Sequence, residues 1–178
     1  MSHTNTRTVM PESAIGVIFV YSCPQQLSSS VQWAIARELG VIVKLSWQPQ
    51  PLASDSLCAV ARWRGPAGSG ATMASVLAGW QDCRFEITEH TRADEPAYRW
   101  LHTPSRGITH QRTDEVGNLM LTEHAIRHAV SASSGSHDLL VAALDRYLGT
   151  EWDEELEPYR QSLVLRDSMF VEQARNAG

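Results

Sequence analysis

An α+β domain built around one antiparallel sheet is the fold class this sequence predicts, and three observations predict it. Short apolar runs with strand periodicity recur between Ile15 and Thr88, two helix-period segments separate them, and Gly- or Pro-rich breaks fall between the two kinds. The 178 residues amount to one domain at roughly 150 residues each. A chain of this size buries roughly two-thirds of its surface, so a core forms without disulfides or metal.

Residues 1–13 read as a disordered polar lead. Residues 15–21 (Ile-Gly-Val-Ile-Phe-Val-Tyr) are apolar on both parities, the pattern of a central strand buried on both faces. Cys23-Pro24 ends it, Ser28, Ser29 and Ser30 offer N-cap oxygens, and Val31, Ala34, Ile35 and Leu39 form a helical stripe closed by Gly40. Residues 41–47 alternate, with Val41, Val43, Leu45 and Trp47 on one side and Lys44 and Ser46 on the other, which predicts a second strand. Residues 57–64 predict a third, its second face carrying Cys58, Val60, Arg62 and Arg64. A turn from Gly65 to Gly70 leads into a helix over 71–80, with Met73, Val76, Leu77 and Trp80 at i, i+3, i+4 and i+7. Cys83, Phe85 and Ile87 then alternate with Arg84, Glu86 and Thr88 in a fourth strand.

The order β-α-β-β-α-β over residues 14–90 is the ferredoxin-like, split βαβ arrangement. Right-handed crossovers put both helices on one sheet face and leave the other to be covered by something else. Residues 91–160 extend the same domain with a strand at 97–102, a hairpin of 107–112 with 118–121, helices at 122–130 and 138–148, and a short helical turn at 152–159. Residues 161–178 read as a C-terminal tail with a weak apolar pattern from Leu163 to Phe170.

The formal net charge of −5 is the wrong sign for a nucleic-acid binder. No run approaches the roughly 20 apolar residues of a membrane helix, and the start lacks the basic-then-apolar build of a secretion signal, so a cytoplasmic protein with no membrane partner is expected. Cys23, Cys58 and Cys83 are too few and too widely spaced for a disulfide framework or paired zinc ligands, and read as reduced, packed thiols. Lys44 is the only lysine against fourteen arginines.

Two constellations bear on function. The Gly65 to Gly70 turn opens a helix, where unpaired N–H groups and the dipole hold an anion; Arg62, Arg64, Gly68, Ser69 and Gly70 are its candidate ligands. No Gly-Lys-Ser/Thr follows, so it is no P-loop. Lys44, Arg62, Arg64 and Arg84 share a parity with Glu86 on the face away from the helices, where Lys44, Arg84 and Glu86 are candidate partner contacts. The bland reading of that face is charges solvated or paired beneath the C-terminal helices. His124 and His128 sit at i and i+4 but lack a third ligand and the metalloprotease glutamate. The Ser105, Arg106, His102 and His110 cluster lacks a triad's acid and oxyanion motif. Cys23 has no resolving cysteine near it in sequence. Six tryptophans, at 33, 47, 63, 80, 100 and 152, supply core and, where exposed, contact surface. No catalytic residue, metal or cofactor is assigned. A non-catalytic regulatory module engaging a protein partner or a second copy is the leading expectation, and a sensor or enzyme for a small anionic ligand at the glycine turn the alternative.

The segments Gly16 to Ser22, Val31 to Ala34, Leu45 to Pro51, Trp63 to Gly70, Arg84 to Glu89, His102 to Ser105 and, most specifically, Trp152-Asp153-Glu154-Glu155-Leu156-Glu157-Pro158-Tyr159-Arg160 resemble an actinobacterial family that carries only a domain-of-unknown-function label. The likeness spans roughly Ala14 to Arg160, with both tails and residues 131–136 private to this chain. It implies a cytoplasmic single-domain protein and transfers no site.

Overall fold

The computed structural model describes residues 12–92, 95–114 and 116–176, with side chains as far as 163; the predicted disordered lead lies outside these residues apart from its last two. Its elements are β1 (Ser13–Pro24), α1 (Ser28–Leu39), β2 (Gln48–Pro49), β3 (Ser56–Pro66), α2 (Ser69–Leu77), β4 (Arg84–Glu89), β5 (Ala97–Thr103), β6 (Gly107–Thr113), β7 (Leu119–Met120), α3 (Glu123–Ser133), α4 (His137–Leu148) and α5 (Thr150–Asn176). The fold is α+β, with one seven-stranded sheet in the order β2-β3-β1-β4-β5-β6-β7 and every neighbouring pair antiparallel. The predicted hairpin is therefore no appendage but a continuation of the same sheet.

Residues 41–47 depart from expectation. Their alternation reflects real burial, since Leu45 is in the core and Val43 and Trp47 pack against it. They form no strand, however: the Leu45 N–H donates to Gln32 Oε1 on α1 at 3.0 Å, and only Gln48 and Pro49 pair with β3. Period-two burial needs only an extended chain on a core, and here a glutamine side chain replaces a ladder bond. Lys44 accordingly stands exposed on coil instead of on a strand.

The sheet is buried unequally on its two faces. On the first, Val31, Ile35 and Leu39 of α1 and Met73 and Leu77 of α2 pack against Ile18, Val20, Trp63, Phe85, Ile87 and Trp100. On the second, Tyr21 and Leu101 meet Leu156 of α5, flanked by Phe19, Trp152, Tyr159 and Leu163. Gly16, opposite Trp63 in the β1–β3 ladder, is where strand and ring come closest: a Cβ there would lie 2.7 Å from the indole and on the Thr88 carbonyl. Thr122 caps α3 and Ser136 caps α4 through their side-chain oxygens. The 27-residue α5 passes through the predicted short turn and the region expected to be a tail.

Candidate functional site

The second sheet face holds a cluster of buried and half-buried charged side chains. Glu86 on β4 is 7% exposed and accepts from three side chains: Arg99 Nε at 2.7 Å on Oε1, and Tyr21 Oη at 2.9 Å and Arg160 Nη2 and Nε at 3.0 and 3.2 Å on Oε2. Asp153 on α5 takes a guanidinium from the same two arginines, Arg99 at 2.6 Å and Arg160 at 2.7 Å. Two carboxylates thus alternate with two guanidinium groups, and the charges cancel. Arg99 reaches both because it lies on β5 two residues from Leu101, the residue opposite Glu86, and so on the same face, while α5 presents Asp153 and Arg160 two turns apart on its sheet-facing side.

The protonation states are locked. Burial alone would raise the Glu86 carboxyl, but the Arg99 and Arg160 charges and the Tyr21 hydroxyl outweigh it and hold its pKa below the ordinary carboxylate value. Burial followed by the Glu86 charge drives the Tyr21 phenol far upward. Burial works against Arg99 and Arg160, yet the carboxylates beside them raise both. None of these four groups exchanges a proton near neutrality, so the cluster clamps α5 to the sheet and offers no acid or base.

The clamp extends sideways. Arg84 stacks over the Tyr159 ring at 5.0 Å, bonds Ser22 Oγ at 3.4 Å and pairs with Glu155 at 3.5 Å. Ser105 donates to Glu155 and Arg106 to Glu151, so the polar loop read as a weak triad candidate anchors α5 instead. The Trp152 indole N–H donates to the Gly107 carbonyl at 2.9 Å. Of the expected partner contacts, then, Arg84 and Glu86 lie together beneath α5, whereas Lys44 is not on this face.

The glycine turn is differently occupied. Gly68 sits at φ +91°, a left-handed conformation suited to glycine, and opens α2. Its N–H donates to Glu89 Oε1 at 2.7 Å, and that of Gly70 to Glu89 Oε2 at 2.6 Å. Ser69 Oγ is turned to the Pro66 carbonyl at 2.7 Å. A carboxylate 3% exposed therefore already sits where a bound anion would. Arg62 and Arg64 point to the opposite face, opposite Val17 and Ile15 in the ladder, and the structure does not bring them to the turn.

Arg62 and Arg64 mark instead the end of the second face that α5 leaves bare. Ile15, Val17, Arg62, Arg64, Thr88 and His90 line an open recess of about 460 Å³, with Ile15 48% exposed and Val60, nearby on β3, 44%. The β2 strand pairs with β3 only at Leu57 and Cys58, so among the described residues the outer edge of β3 beyond Cys58 has no strand partner. A separate apolar patch carries Trp33, 63% exposed beneath the Arg37 guanidinium, with Val41 and Ile42.

The remaining candidates are scattered. His124 and His128 are exposed on α3, and His128 bonds the Tyr147 hydroxyl at 3.0 Å. His102 is buried, stacked on Phe85 with Nδ1 2.7 Å from the Cys83 carbonyl; burial lowers its pKa despite that bond. Reading the sequence misses Tyr21, Arg99, Asp153 and Arg160. One signal was present: Trp152, Leu156, Tyr159 and Leu163 recur at spacings of four, three and four, an apolar stripe that Pro158 disguises.

Among curated proteins and among solved structures nothing matches the chain. The model of a protein family described as protein of unknown function, DUF3145, matches residues 17–171, a span that runs from β1 into α5 and so takes in both halves of the buried charge cluster. The Trp152–Arg160 segment, the most specific part of the resemblance in the sequence, proves to be the stretch of α5 that docks on the sheet; with that match, the chain belongs to the DUF3145 family.

Proposed function

We propose that this protein is a non-catalytic binding or regulatory module whose bare sheet end receives an acidic, extended segment of a protein partner. One observation carries the reading: Arg62 and Arg64 stand exposed beside Ile15 and Val60, along a β3 edge that β2 pairs at two positions only. An unpaired edge offers main-chain hydrogen bonds to an added strand, and an arginine row beside it selects carboxylates. Cation and apolar side chain alternate with open backbone there, a combination that recognises a peptide better than a metabolite. The alternative, a small anion at the glycine turn, is weakened by Glu89, which already engages the Gly68 and Gly70 N–H groups.

The proposal includes a cytoplasmic setting, in keeping with three cysteines in the reduced state, and an actinobacterial source, in keeping with the arginine-for-lysine bias. It also includes a ferredoxin-like reading of the first half: β1 lies between β3 and β4, α1 and α2 share one face, and the two-residue β2, just after the expected second strand, takes that strand's place beside β3.

Titration of fluorescein-labelled extended peptides, acidic, neutral and basic, tests the central claim. The acidic peptide is expected to bind most tightly and to lose at least tenfold in affinity to the Arg62→Glu/Arg64→Glu double variant. No preference among the peptides, or equal binding by the variant, overturns it, and a dimer in light scattering that the same variant abolishes would make the occupant a second copy of the chain.

A further inference from the structure

The three cysteines lie far apart in sequence, yet the sheet brings two of them together. In the β1–β4 ladder Val20 stands opposite Phe85 and Ser22 opposite Arg84, so a bulge intervenes between Val20 and Ser22. Simple alternation from Val20 would point Cys23 at the α5 face, away from Cys83. The extra residue reverses that parity: Tyr21 faces Glu86 and Ser22 faces Arg84, both on the α5 side, and Cys23 returns to the helix-covered side. Continued one residue past the Ser22–Arg84 pair, the same register leads Cys23 to Cys83, the residue just before β4. Directly opposed residues of an antiparallel pair have Cα atoms about 4.5–5.5 Å apart, within the about 4.4–6.8 Å a disulfide spans.

Both residues belong to the same buried cluster, at 0% and 2% exposure. The Cys23 Sγ donates to the Pro24 carbonyl at 3.4 Å; the neighbouring Cys83 holds the pKa of Cys23 below the ordinary thiol value, while Cys23 and burial push that of Cys83 up. Cys58 follows Leu57, the residue opposite Cys23 on β3, and so points to the other face. It makes a built-in control.

We propose that Cys23 and Cys83 are a redox-active dithiol that closes to an intramolecular disulfide when the protein meets a hydroperoxide. The Cys23 thiolate attacks one peroxide oxygen and releases hydroxide, or the alcohol of an organic peroxide, to give a sulfenic acid. The Cys83 sulfur then attacks the Cys23 sulfur, loses its proton and expels water as the S–S bond forms. Each sulfur loses one electron and the peroxide gains two. A buried pair favours a small oxidant over a bulky disulfide.

The test uses the native full-length chain and hydrogen peroxide, followed by quenching, unfolding in an alkylating reagent and peptide mass spectrometry. Alkylated cysteines are expected to fall from three to one, with a Cys23–Cys83 cross-linked peptide, a mass lower by two hydrogens, and full reversal by dithiothreitol. The Cys58→Ser variant is expected to form the same cross-link. Three alkylated cysteines after treatment, a link to Cys58, sulfinic acid without a cross-link, or a cross-link that forms only in denaturant would each overturn the proposal.

Discussion

Glu89 illustrates how much one side chain settles. Its carboxylate accepts the Gly68 and Gly70 N–H groups, one on each oxygen, while 3% exposed. Glutamine keeps the size but offers one oxygen to two donors, so Glu89→Gln is expected to cost about 2 kcal/mol, the scale of a lost charge-assisted hydrogen bond. The urea midpoint should fall at unchanged m-value, and an unshifted midpoint would contradict the capping role. Gly16→Ala tests the close approach of β1 to Trp63 and Thr88: the strands must separate to admit the methyl group, at about 1–3 kcal/mol of overpacking, seen as a lowered Tm. In the sequence Glu89 is merely the end of an alternating run. The glycine turn and the helix start are legible from local pattern, whereas the carboxylate that fills them comes from 19 to 21 residues away, beyond the reach of any local rule.

Among the elements, α5 is the one whose importance the sequence conceals. Proline inside a helix removes a hydrogen bond and costs about 3 kcal/mol in isolation, which makes a short turn the natural expectation at 152–159. The helix runs through Pro158 because that residue is exposed while the opposite stripe is held by Leu156, Tyr159 and the Arg160 clamp. Leu156, fully buried between Tyr21 and Leu101, should lose about 3 kcal/mol on truncation to alanine. Removing one member of the charge cluster should cost a similar amount, because the remaining charges stay buried: Arg160→Met is expected to lose about 3 kcal/mol in denaturant unfolding. A loss of only a few tenths would mean that the cluster acts as an ordinary surface ion pair. The strands β3 and β4 are legible from alternation, β1 from a run apolar on both parities and β5 and β6 as a strand and a hairpin arm, with small differences at their ends. The segment at 41–47 is misread as a strand because burial on an extended chain mimics the period.

At the scale of the whole molecule, two buried groups contribute to the response to acid. His102 is held below its ordinary 6.5, so the unfolded chain takes up a proton first and stability falls as pH drops through 6.5 toward the lowered folded value. Glu86 is held below its ordinary 4.5; its contribution is complete above that pH and is lost as pH falls toward its own lowered value. Thermal midpoints from pH 8 to pH 3 should therefore decline in two windows, with His102→Asn flattening the upper and Glu86→Gln the lower. A decline unchanged by either substitution would place the acid sensitivity elsewhere. Parity in the sequence puts Arg62, Arg64, Arg84 and Glu86 on one sheet face, as the structure has them. Which end of that face α5 covers depends on the long path through β5, β6, α3 and α4, and that path has no local signature.

The pairing of Glu86 with Arg160 spans 74 residues of chain. A ribosome adding about 5–20 residues per second needs about 4–15 seconds to travel that far, and throughout that interval the nascent sheet displays a Glu86 carboxylate that has at most Arg99 as a cationic partner, beside the bare rings of Phe19 and Tyr21. Whatever chaperones attend this chain have their task defined by that delay, and a premature stop before α5 releases a product with its sticky side uncovered.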